Sequence, residues 1–378
     1  MFIRRASIKD GIKIIELYDQ IYQGSYPDPC MLEYQSFKDF IKNPNHFWFV
    51  ADSEGEIVGS LVMRYDTDHL LGKAYGAAVK ADFQGHGILT KMMEHGLNYL
   101  KDMTPGLEVV YATNRSVNEA AQSLVEKFGF KKLGIFPNTH KSLEYETHTL
   151  AALLTPEALK KRFTHYKMHE EFKALYEIIK TEIPELEDPI EFIDPEPSSR
   201  LLRIAPTLEI INSYHFVNFR HDLLTKKGAL EFDFFPFHEP NIMISSPDQS
   251  IEIFCHLSGD GHCVIIGGKV AENIHYTDLM KRTCLLLRDY GARYIEIILR
   301  ADKPKILNSI LASKMIPSAF FPAFQLKDGK RYDFVVLSRS YEIFDFQNIR
   351  LKGKNQLFLE EYYKAWKKIS LNPKLLDI

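Results

Sequence analysis

The chain has 378 residues, of which 45% are hydrophobic and 26% are charged, and its formal net charge is −3 at pH 7. Such a composition is typical of a globular protein, and the length favours two domains over one. The near-neutral charge gives no electrostatic reason to expect nucleic acid as a partner, and no apolar run approaches the ~20 residues that span a bilayer, so no membrane partner is expected.

The first elements along the chain are predicted to be a strand, a helix and a strand hairpin. Phe2–Ala6 forms the strand, and a helix follows it. Residues 18–34 are rich in Tyr, Pro and Gly and are predicted to be a loop. The strands Phe47–Ala51 and Ile57–Arg64 flank a polar turn and are predicted to pair as a hairpin.

The stretch from Tyr75 to Leu100 carries the strongest functional signal in the sequence. An apolar strand ends at Val79, a short loop contains Gly85 and Gly87, and a helix with apolar residues at helical spacing follows. Backbone N–H groups at a helix start lie at the positive end of the helix dipole and bind phosphate. A glycine in such a loop keeps side chains away from the anion. The stretch therefore predicts a phosphate site.

A second strand–helix unit follows, and two strands complete the first half. Leu107–Ala112 is predicted to be a buried strand, 118–128 a helix that stops at Gly129, and the regions 131–136 and 145–154 two further strands. The predicted order is strand, helices, hairpin, strand, helix, strand, helix, strand, strand. This order indicates an α+β fold.

Two motifs in this order resemble those of the GNAT superfamily of N-acetyltransferases. Gln84-x-x-Gly87-x-Leu89 resembles the family's pyrophosphate-binding pattern, with Leu89 in place of the usual Gly or Ala. The segment that starts at Asn118 and ends at Gly129-Phe130 resembles the family's second motif. Val125 stands there at the position of the family tyrosine, which donates a proton to the departing CoA thiolate.

The resemblance implies the GNAT fold, with a mixed central sheet flanked by helices, and acetyl-CoA as cosubstrate; no metal is expected. The residues expected to contact acetyl-CoA are Ala77, Ala78, Val79, Gln84, Gly85, His86, Gly87, Ile88, Leu89, Thr90 and Asn118. The strand at 77–79 would pair with the pantetheine arm, and a backbone N–H near Ala78 or Val79 would stabilise the oxyanion.

The catalytic acid and base are less specified than the cofactor site. Tyr75, on the strand before the phosphate loop, and Glu108 are candidates for the base. The proton donor that Val125 does not supply is Tyr111, a water, or absent. Asp66, Asp68 and His69 are further candidates for the base, although any of them can simply be solvated. In the family, the loop at 18–34 lies over the acceptor, so its tyrosines are candidates for the acceptor pocket: Tyr22, Tyr26 and Tyr34.

The four cysteines do not form a CxxC pair, which favours a reducing, cytoplasmic setting. Cys255-His256 and His262-Cys263 flank a turn and together offer four potential zinc ligands. Neighbouring residues of a strand point to opposite faces, so the four do not converge, and a plain hairpin is preferred to a metal site.

The second half is predicted to repeat the order of the first. Residues 156–180 are predicted to be a helix and 185–199 a proline-rich acidic linker. Strands are then expected at 230–235, 241–245, 251–257, 262–270, 294–299, 316–326 and 331–337, with helices at 277–290, 304–313 and 357–369. The loop 271–276 has no glycine and carries an acid, so it is not expected to bind pyrophosphate.

The sequence thus predicts a GNAT acetyl-CoA-binding domain at 1–154, a helix and linker at 155–199, and a degenerate GNAT-like domain at 200–378. The predicted activity is direct acetyl transfer from acetyl-CoA to the amine of a small molecule or amino-acid-like acceptor, with a homodimer left open. The alternative is a catalytically silent acetyl-CoA sensor or scaffold, and a purely structural protein is a third interpretation.

Overall fold

The computed structural model describes residues 1–142, 144–186, 191–195, 207–271 and 274–371. The first half contains, in chain order, β1 (Phe2–Arg5), α1 (Gly11–Tyr22), α2 (Tyr34–Lys42), β2 (His46–Ser53), β3 (Glu56–Asp66), β4 (Leu71–Val79), α3 (Ile88–Met103), β5 (Val109–Arg115), α4 (Ala120–Lys127), β6 (Lys131–Lys141) and β7 (Tyr145–Leu154). A connecting segment contains α5 (Pro156–Lys160), β8 (Lys167–His169), α6 (Lys173–Glu182) and β9 (Glu191–Ile193).

The second half has a similar series of elements. It contains β10 (Glu209–Ile211), α7 (Tyr214–Lys226), β11 (Ile242–Ser245), β12 (Glu252–Leu257), β13 (His262–Lys269), α8 (Tyr276–Asp289), β14 (Tyr294–Arg300), α9 (Pro304–Leu311), β15 (Ile316–Lys327), β16 (Lys330–Ser340) and α10 (Asn355–Ser370). None of the helices within the described ranges combines the length and apolarity needed to cross a bilayer.

One continuous sheet runs through both halves. Its strand order is β1-β2-β3-β4-β5-β7-β6 in the first half and, from the junction outward, β15-β16-β14-β13-β12-β11-β10 in the second. The two series are mirror-ordered: β4 and β5 are parallel neighbours, as are β13 and β14, and each of the other neighbouring pairs is antiparallel. The halves therefore share one topology.

The sheet crosses from one half to the other at Gly134 of β6 and Ala319 of β15, which are paired antiparallel. A Cβ atom added at Gly134 would lie 2.3 Å from the Cβ of Ala319. Only glycine permits this approach of the two backbones, so Gly134 is required for the junction.

Helices cover both faces of the first-half sheet. The apolar positions of α3, Ile88, Met92, Met93 and Leu100, are buried against β2 to β5 on one face. On the other face, α1 and α2 bury Tyr18 and Phe37 around Trp48. The strands are consequently buried on both sides, and the loop between β4 and α3 begins where this buried region ends, with most of its residues exposed.

The connecting segment differs from the single helix predicted at 156–180. The helix α5 ends at Lys160, and the chain then extends so that Arg162 and Tyr166 reach the buried carboxylate of Asp333, at 2.8 and 2.6 Å. This tertiary contact requires an extended chain, and the helix resumes only at Lys173. Part of the predicted linker, at 187–190 and 196–199, lies outside the described residues, and Glu191–Ile193 is the strand β9.

The strand predicted at 230–235 is also corrected. This segment forms only a single antiparallel bridge, between Phe232 and Gly268, at the free end of β13. Two hydrogen bonds hold it there: Glu231 N–H donates to the Gly268 carbonyl at 2.8 Å, and Gly268 N–H donates to the Phe232 carbonyl at 2.9 Å.

Candidate active site

The loop between β4 and α3 has the features of an anion-binding turn. Gly85 and Gly87 have φ of 79° and 72°, in the left-handed region, and a Cβ atom at either position would meet open space. The first N–H groups of α3 have no intrahelical acceptor, and Gly87 is the residue before that helix. Gln84 Nε2 donates to the Val79 carbonyl at 3.1 Å and so braces the loop against the strand. A diphosphate fits these exposed amides.

A second feature is the separation of β4 from β5. Their parallel pairing ends at Ala74 and Ala112, although both strands continue. Beyond this point β4 pairs only with β3, and β5 pairs only with β7. The edge of β4 at 75–79 is therefore free of its neighbour, as an extended amide-containing ligand requires.

The strand β4 also bulges in this region. The register with β3 shifts between the pairs Ser60–Ala78 and Val62–Tyr75. Gly76 lies in the shift with a φ of 65°, and its carbonyl accepts a hydrogen bond from the buried Tyr18 hydroxyl. A bulge leaves backbone groups outside the ladder, and such groups are available to a ligand.

A cavity of about 990 Å³ joins these features and extends to the second half. Its lining from the first half includes Tyr22, Tyr26, Asp28, Arg64, Lys73, Tyr75, Tyr111, Asn114, Glu146 and His148. Its lining from the second half includes Phe235, Phe237, His238, Glu239, His256, His262, Glu296, Phe321 and Phe324. The volume lies at the upper end of the range for ligand sites, which is about 300–1,000 Å³.

The structure brings together most of the residues predicted to contact acetyl-CoA. Those that line the cavity are Ala77, Ala78, Val79, Gln84, Gly85, Gly87, Ile88, Leu89, Thr90 and Asn118. His86 is exposed and does not line it. The side chain of Leu89 is partly buried against the core under α3. The Asn118 Oδ1 accepts the Ala120 N–H at 2.9 Å and so supports the start of α4.

Tyr75 and Tyr111 line the same cavity. Tyr75 hydroxyl is buried without a hydrogen-bond partner among the described residues. Burial raises the pKa of both phenols well above the usual value. Both are therefore neutral at physiological pH, and a neutral phenol is able to donate a hydrogen bond or a proton.

Glu108 is the sequence-predicted base that the structure places elsewhere. It does not line the cavity, and its carboxylate is bound by Arg331 and Lys161. Burial opposes its ionisation, but the hydrogen bonds from these two cations hold the pKa of Glu108 below its usual range. The prediction of a catalytic Glu108 is thus corrected, since this carboxylate is committed to an ion pair between the halves. Among the loop tyrosines, Tyr34 does not line the cavity either, because it begins α2.

A group of histidines lies where the halves meet. His140 Nδ1 donates to Asp260 Oδ2 at 2.8 Å, and its ring packs edge-on against His262, with 4.5 Å between centroids. Burial lowers the pKa of His140 to about 4. His262 Nε2 lies 3.4 Å from Glu296 Oε1. These residues could not be predicted as part of the site from the sequence, because strands β6, β13 and β14 come together only in the tertiary fold.

The hairpin with two Cys–His dipeptides separates its candidate ligands. Cys255 and Cys263 are buried, whereas His256 and His262 line the cavity. In the part of the chain that the structure describes, no group of three or more His, Cys, Asp or Glu side chains is arranged to hold a metal ion.

Comparison with known proteins identifies the first half. Residues 12–130 match the model of the acetyltransferase (GNAT) family. An N-alpha-acetyltransferase of Sulfolobus acidocaldarius is 28% identical over 162 residues, which are 40% of this chain and 92% of the relative. An N-alpha-acetyltransferase of Sulfurisphaera tokodaii is 26% identical over the same shares of both chains.

Among solved structures, a ribosomal-protein-alanine N-acetyltransferase from Brucella melitensis aligns with 41% of this chain and 99% of its own, at 15% identity and a TM-score of 0.36. The family match includes β4, α3 and the loop between them, which line the cosubstrate side of the cavity. The predicted GNAT fold and the predicted enzyme class, a GNAT-type acyltransferase, are thereby confirmed, and residues 12–130 are a GNAT acetyltransferase domain.

Proposed function

We propose that the protein transfers the acetyl group of acetyl-CoA directly to the α-amine of an acceptor that binds between the two halves. The observation that carries the proposal is the single cavity shared by the phosphate-type loop, the free edge of β4 and residues of both halves. Two relatives named N-alpha-acetyltransferases support an α-amine as the acceptor group.

In this proposal the chain binds and orients both substrates. The amides of 85–90 hold the diphosphate, the edge of β4 at 77–79 aligns the pantetheine arm, and N–H groups near the bulge stabilise the oxyanion. The neutral amine attacks the thioester carbonyl, the carbon–sulfur bond of the tetrahedral intermediate breaks to release CoA thiolate, and the nitrogen gives its extra proton to solvent. The neutral hydroxyl of Tyr75 or Tyr111 protonates the thiolate, in place of the family tyrosine that Val125 replaces, and regains a proton from solvent.

We further propose that the second half is a degenerate GNAT copy. The proposed domains remain 1–154 and 200–378, joined by the segment 155–199. Ala77 of β4 and Gly268 of β13 occupy equivalent positions in the two halves. Each lies three residues beyond the last parallel pair of its strand. Ala77 faces the cavity, whereas both backbone groups of Gly268 are bonded to the segment 231–232. The protein's own chain thus occupies the edge that pantetheine would need. Glu272 and Asn273, in the predicted loop 271–276, lie outside the described residues.

The test has a binding arm and a turnover arm. Titration calorimetry with acetyl-CoA measures binding, and a thiol-release assay with amino acids, short peptides and simple amines measures transfer, with the acetylated product identified by mass spectrometry. We expect binding and turnover on at least one α-amine. Absence of acetyl-CoA binding contradicts the proposal.

The alternative function is a silent acetyl-CoA sensor. The observation that favours it is Val125, which is buried among apolar residues at the position of the family's proton donor. Binding of acetyl-CoA without turnover on any α-amine would favour this alternative. The homodimer and the cytoplasmic location stay predictions.

A further inference from the structure

Two cations face each other across the antiparallel strands β3 and β4. Arg64 and Lys73 are register partners, and both side chains line the cavity. Like charges placed directly opposite in a sheet destabilise it. An anion bound between the two cations would offset this repulsion.

The described residues supply no carboxylate in contact with either cation. Arg64 Nε donates to His46 Nε2 at 3.1 Å, and Nη1 donates to the Phe237 carbonyl at 2.9 Å. Within the same ranges, Arg64 Nη2 and Lys73 Nζ have no hydrogen-bond or ion-pair partner. Lys73 Nζ lies only against aromatic rings, 5.5 Å from the centroid of Tyr75 and 5.7 Å from that of Tyr111.

The surroundings of Lys73 disfavour an unpaired charge. Burial, and then repulsion by Arg64, lower the pKa of Lys73 to about 8. Asp28 and Glu296 act on Lys73 in the opposite sense, but only at longer range. Lys73 is half-buried among aromatic rings, and partial removal of an ammonium from water without a partner costs free energy, which a bound anion would recover.

The diphosphate of CoA is on the wrong side of the sheet to be this anion. Ala74 packs in the core formed with α3, and adjacent residues of a strand point to opposite faces. Lys73 therefore points away from α3, toward Tyr111 and the second-half wall at Phe237. The acceptor occupies this side of the cavity in the proposed function.

We propose that Lys73 and Arg64 bind a carboxylate of the acceptor, so that the acceptor is an amino acid with a free carboxylate near its α-amine. This inference rests on the proposed function and specifies its substrate class. Lys73 contributes a point charge and Arg64 contributes the free Nη2–H group. Asp28, which also lines the cavity, places negative charge nearby and suits a zwitterion.

The experiment compares matched acceptors on the full chain and on Lys73→Met. The acceptors are glutamate, glutamine, glutamate α-amide and a series of neutral amino acids with their α-amides and dipeptides. Lys131→Met is the control, because Lys131 is a half-buried lysine on β6 outside the cavity. Calorimetry with acetyl-CoA shows that each variant is folded and retains its cosubstrate site.

We expect the free amino acids to be preferred, and Lys73→Met to lower their kcat/KM by about 10–100-fold, the loss expected for one hydrogen-bonded charge pair. The α-amides and dipeptides should change little, and Lys73→Arg should retain the preference. A preference for glutamate and its α-amide over the neutral amino acids would place the side-chain carboxylate at Lys73 and would contradict the requirement for a carboxylate next to the α-amine.

Two further outcomes overturn the inference and leave the transferase function intact. One is a wild-type enzyme that acetylates amides and dipeptides as well as free amino acids. The other is an equal loss on all acceptors in Lys73→Met, which would make Lys73 a base. If no α-amine is acetylated at all, the proposed function fails and the inference fails with it.

Discussion

Arg331 of the second half is fully buried, and its Nε donates to Glu108 Oε2 of the first half at 2.5 Å. Its other nitrogens donate to the carbonyls of Ala323 and His69, at 3.0 and 2.8 Å. One guanidinium therefore binds a side chain and backbone of the first half and backbone of the second half, next to the start of β5. This contact joins the halves that line the cavity.

Arg331→Met is expected to lower the free energy of unfolding by about 3–5 kcal/mol, because removing one partner leaves buried groups of the other half unpaired. Urea unfolding followed by fluorescence measures the change. Lys161→Met is the matched control: its side chain is 38% exposed, and losing such a partner costs about 1 kcal/mol or less. Equal effects of the two substitutions would show that Arg331 does not hold the halves together.

Gly87→Leu is expected to weaken acetyl-CoA binding by about tenfold or more, a loss of ~1.4 kcal/mol. The left-handed backbone costs a leucine about 1–2 kcal/mol, and its side chain would enter the open space over the amides of α3. Gly55→Leu is the control, since Gly55 has a φ of 87° and open space around it but lies in the β2–β3 turn outside the cavity. Unchanged acetyl-CoA affinity in Gly87→Leu would contradict the assignment of the phosphate loop.

The phosphate loop and α3 could be predicted because their signals are local. The glycines at 85 and 87 and the helical spacing from Ile88 to Leu100 lie within one short stretch. The same is true of the strand hairpins, where the turn residues lie between two apolar runs. Local signals thus sufficed for the order of the elements and for the cosubstrate side of the cavity.

The acceptor side could not be predicted, because distant segments form it. Phe237 reaches Arg64 across 173 positions of the chain, and no local pattern announces such a contact. Glu108 is a candidate base from the sequence alone, because its partner Arg331 is 223 positions away and no local pattern indicates the ion pair. The segment 230–235 has the apolar composition of a strand, but only one bridge forms, at the end of β13.

The chain is expected to bind one equivalent of acetyl-CoA. In the second half, the backbone of 231–232 already occupies the edge of β13 at Gly268, so no pantetheine arm can pair there. Titration calorimetry gives the stoichiometry, and Gly87→Leu should weaken this single event. A second equivalent that persists in Gly87→Leu would mean that the second half binds acetyl-CoA too.

Stability is expected to fall as the pH drops from about 6.5 toward 4, in part because of His46. Burial, and then the charge of Arg64, lower the pKa of His46 to about 4. The unfolded chain binds this proton near pH 6.5 and the folded chain only near pH 4, so acidification between these values favours unfolding. His46→Phe keeps a ring against Phe40, whose centroid is 4.1 Å away. As the pH falls across this range, the melting temperature should decline less steeply in His46→Phe than in the wild type. Equal declines in the two proteins would exclude His46 as a cause of the acid destabilisation.

Preference for a free carboxylate is expected to decrease as the pH rises through about 8. Burial and the neighbouring Arg64 lower the pKa of Lys73 to about 8, so the ammonium that attracts the carboxylate is lost above that value in the free enzyme. The ratio of kcat/KM for an amino acid to that for its α-amide, measured from pH 6.5 to 9.5, reports this loss together with the different titration of the two acceptors' own α-amines. Arginine keeps its charge throughout the range, so dividing the wild-type ratio by the Lys73→Arg ratio removes the titration of the acceptors, and this quotient should fall as the pH rises through about 8. A ratio that falls equally in wild type and in Lys73→Arg would assign the titration to another group.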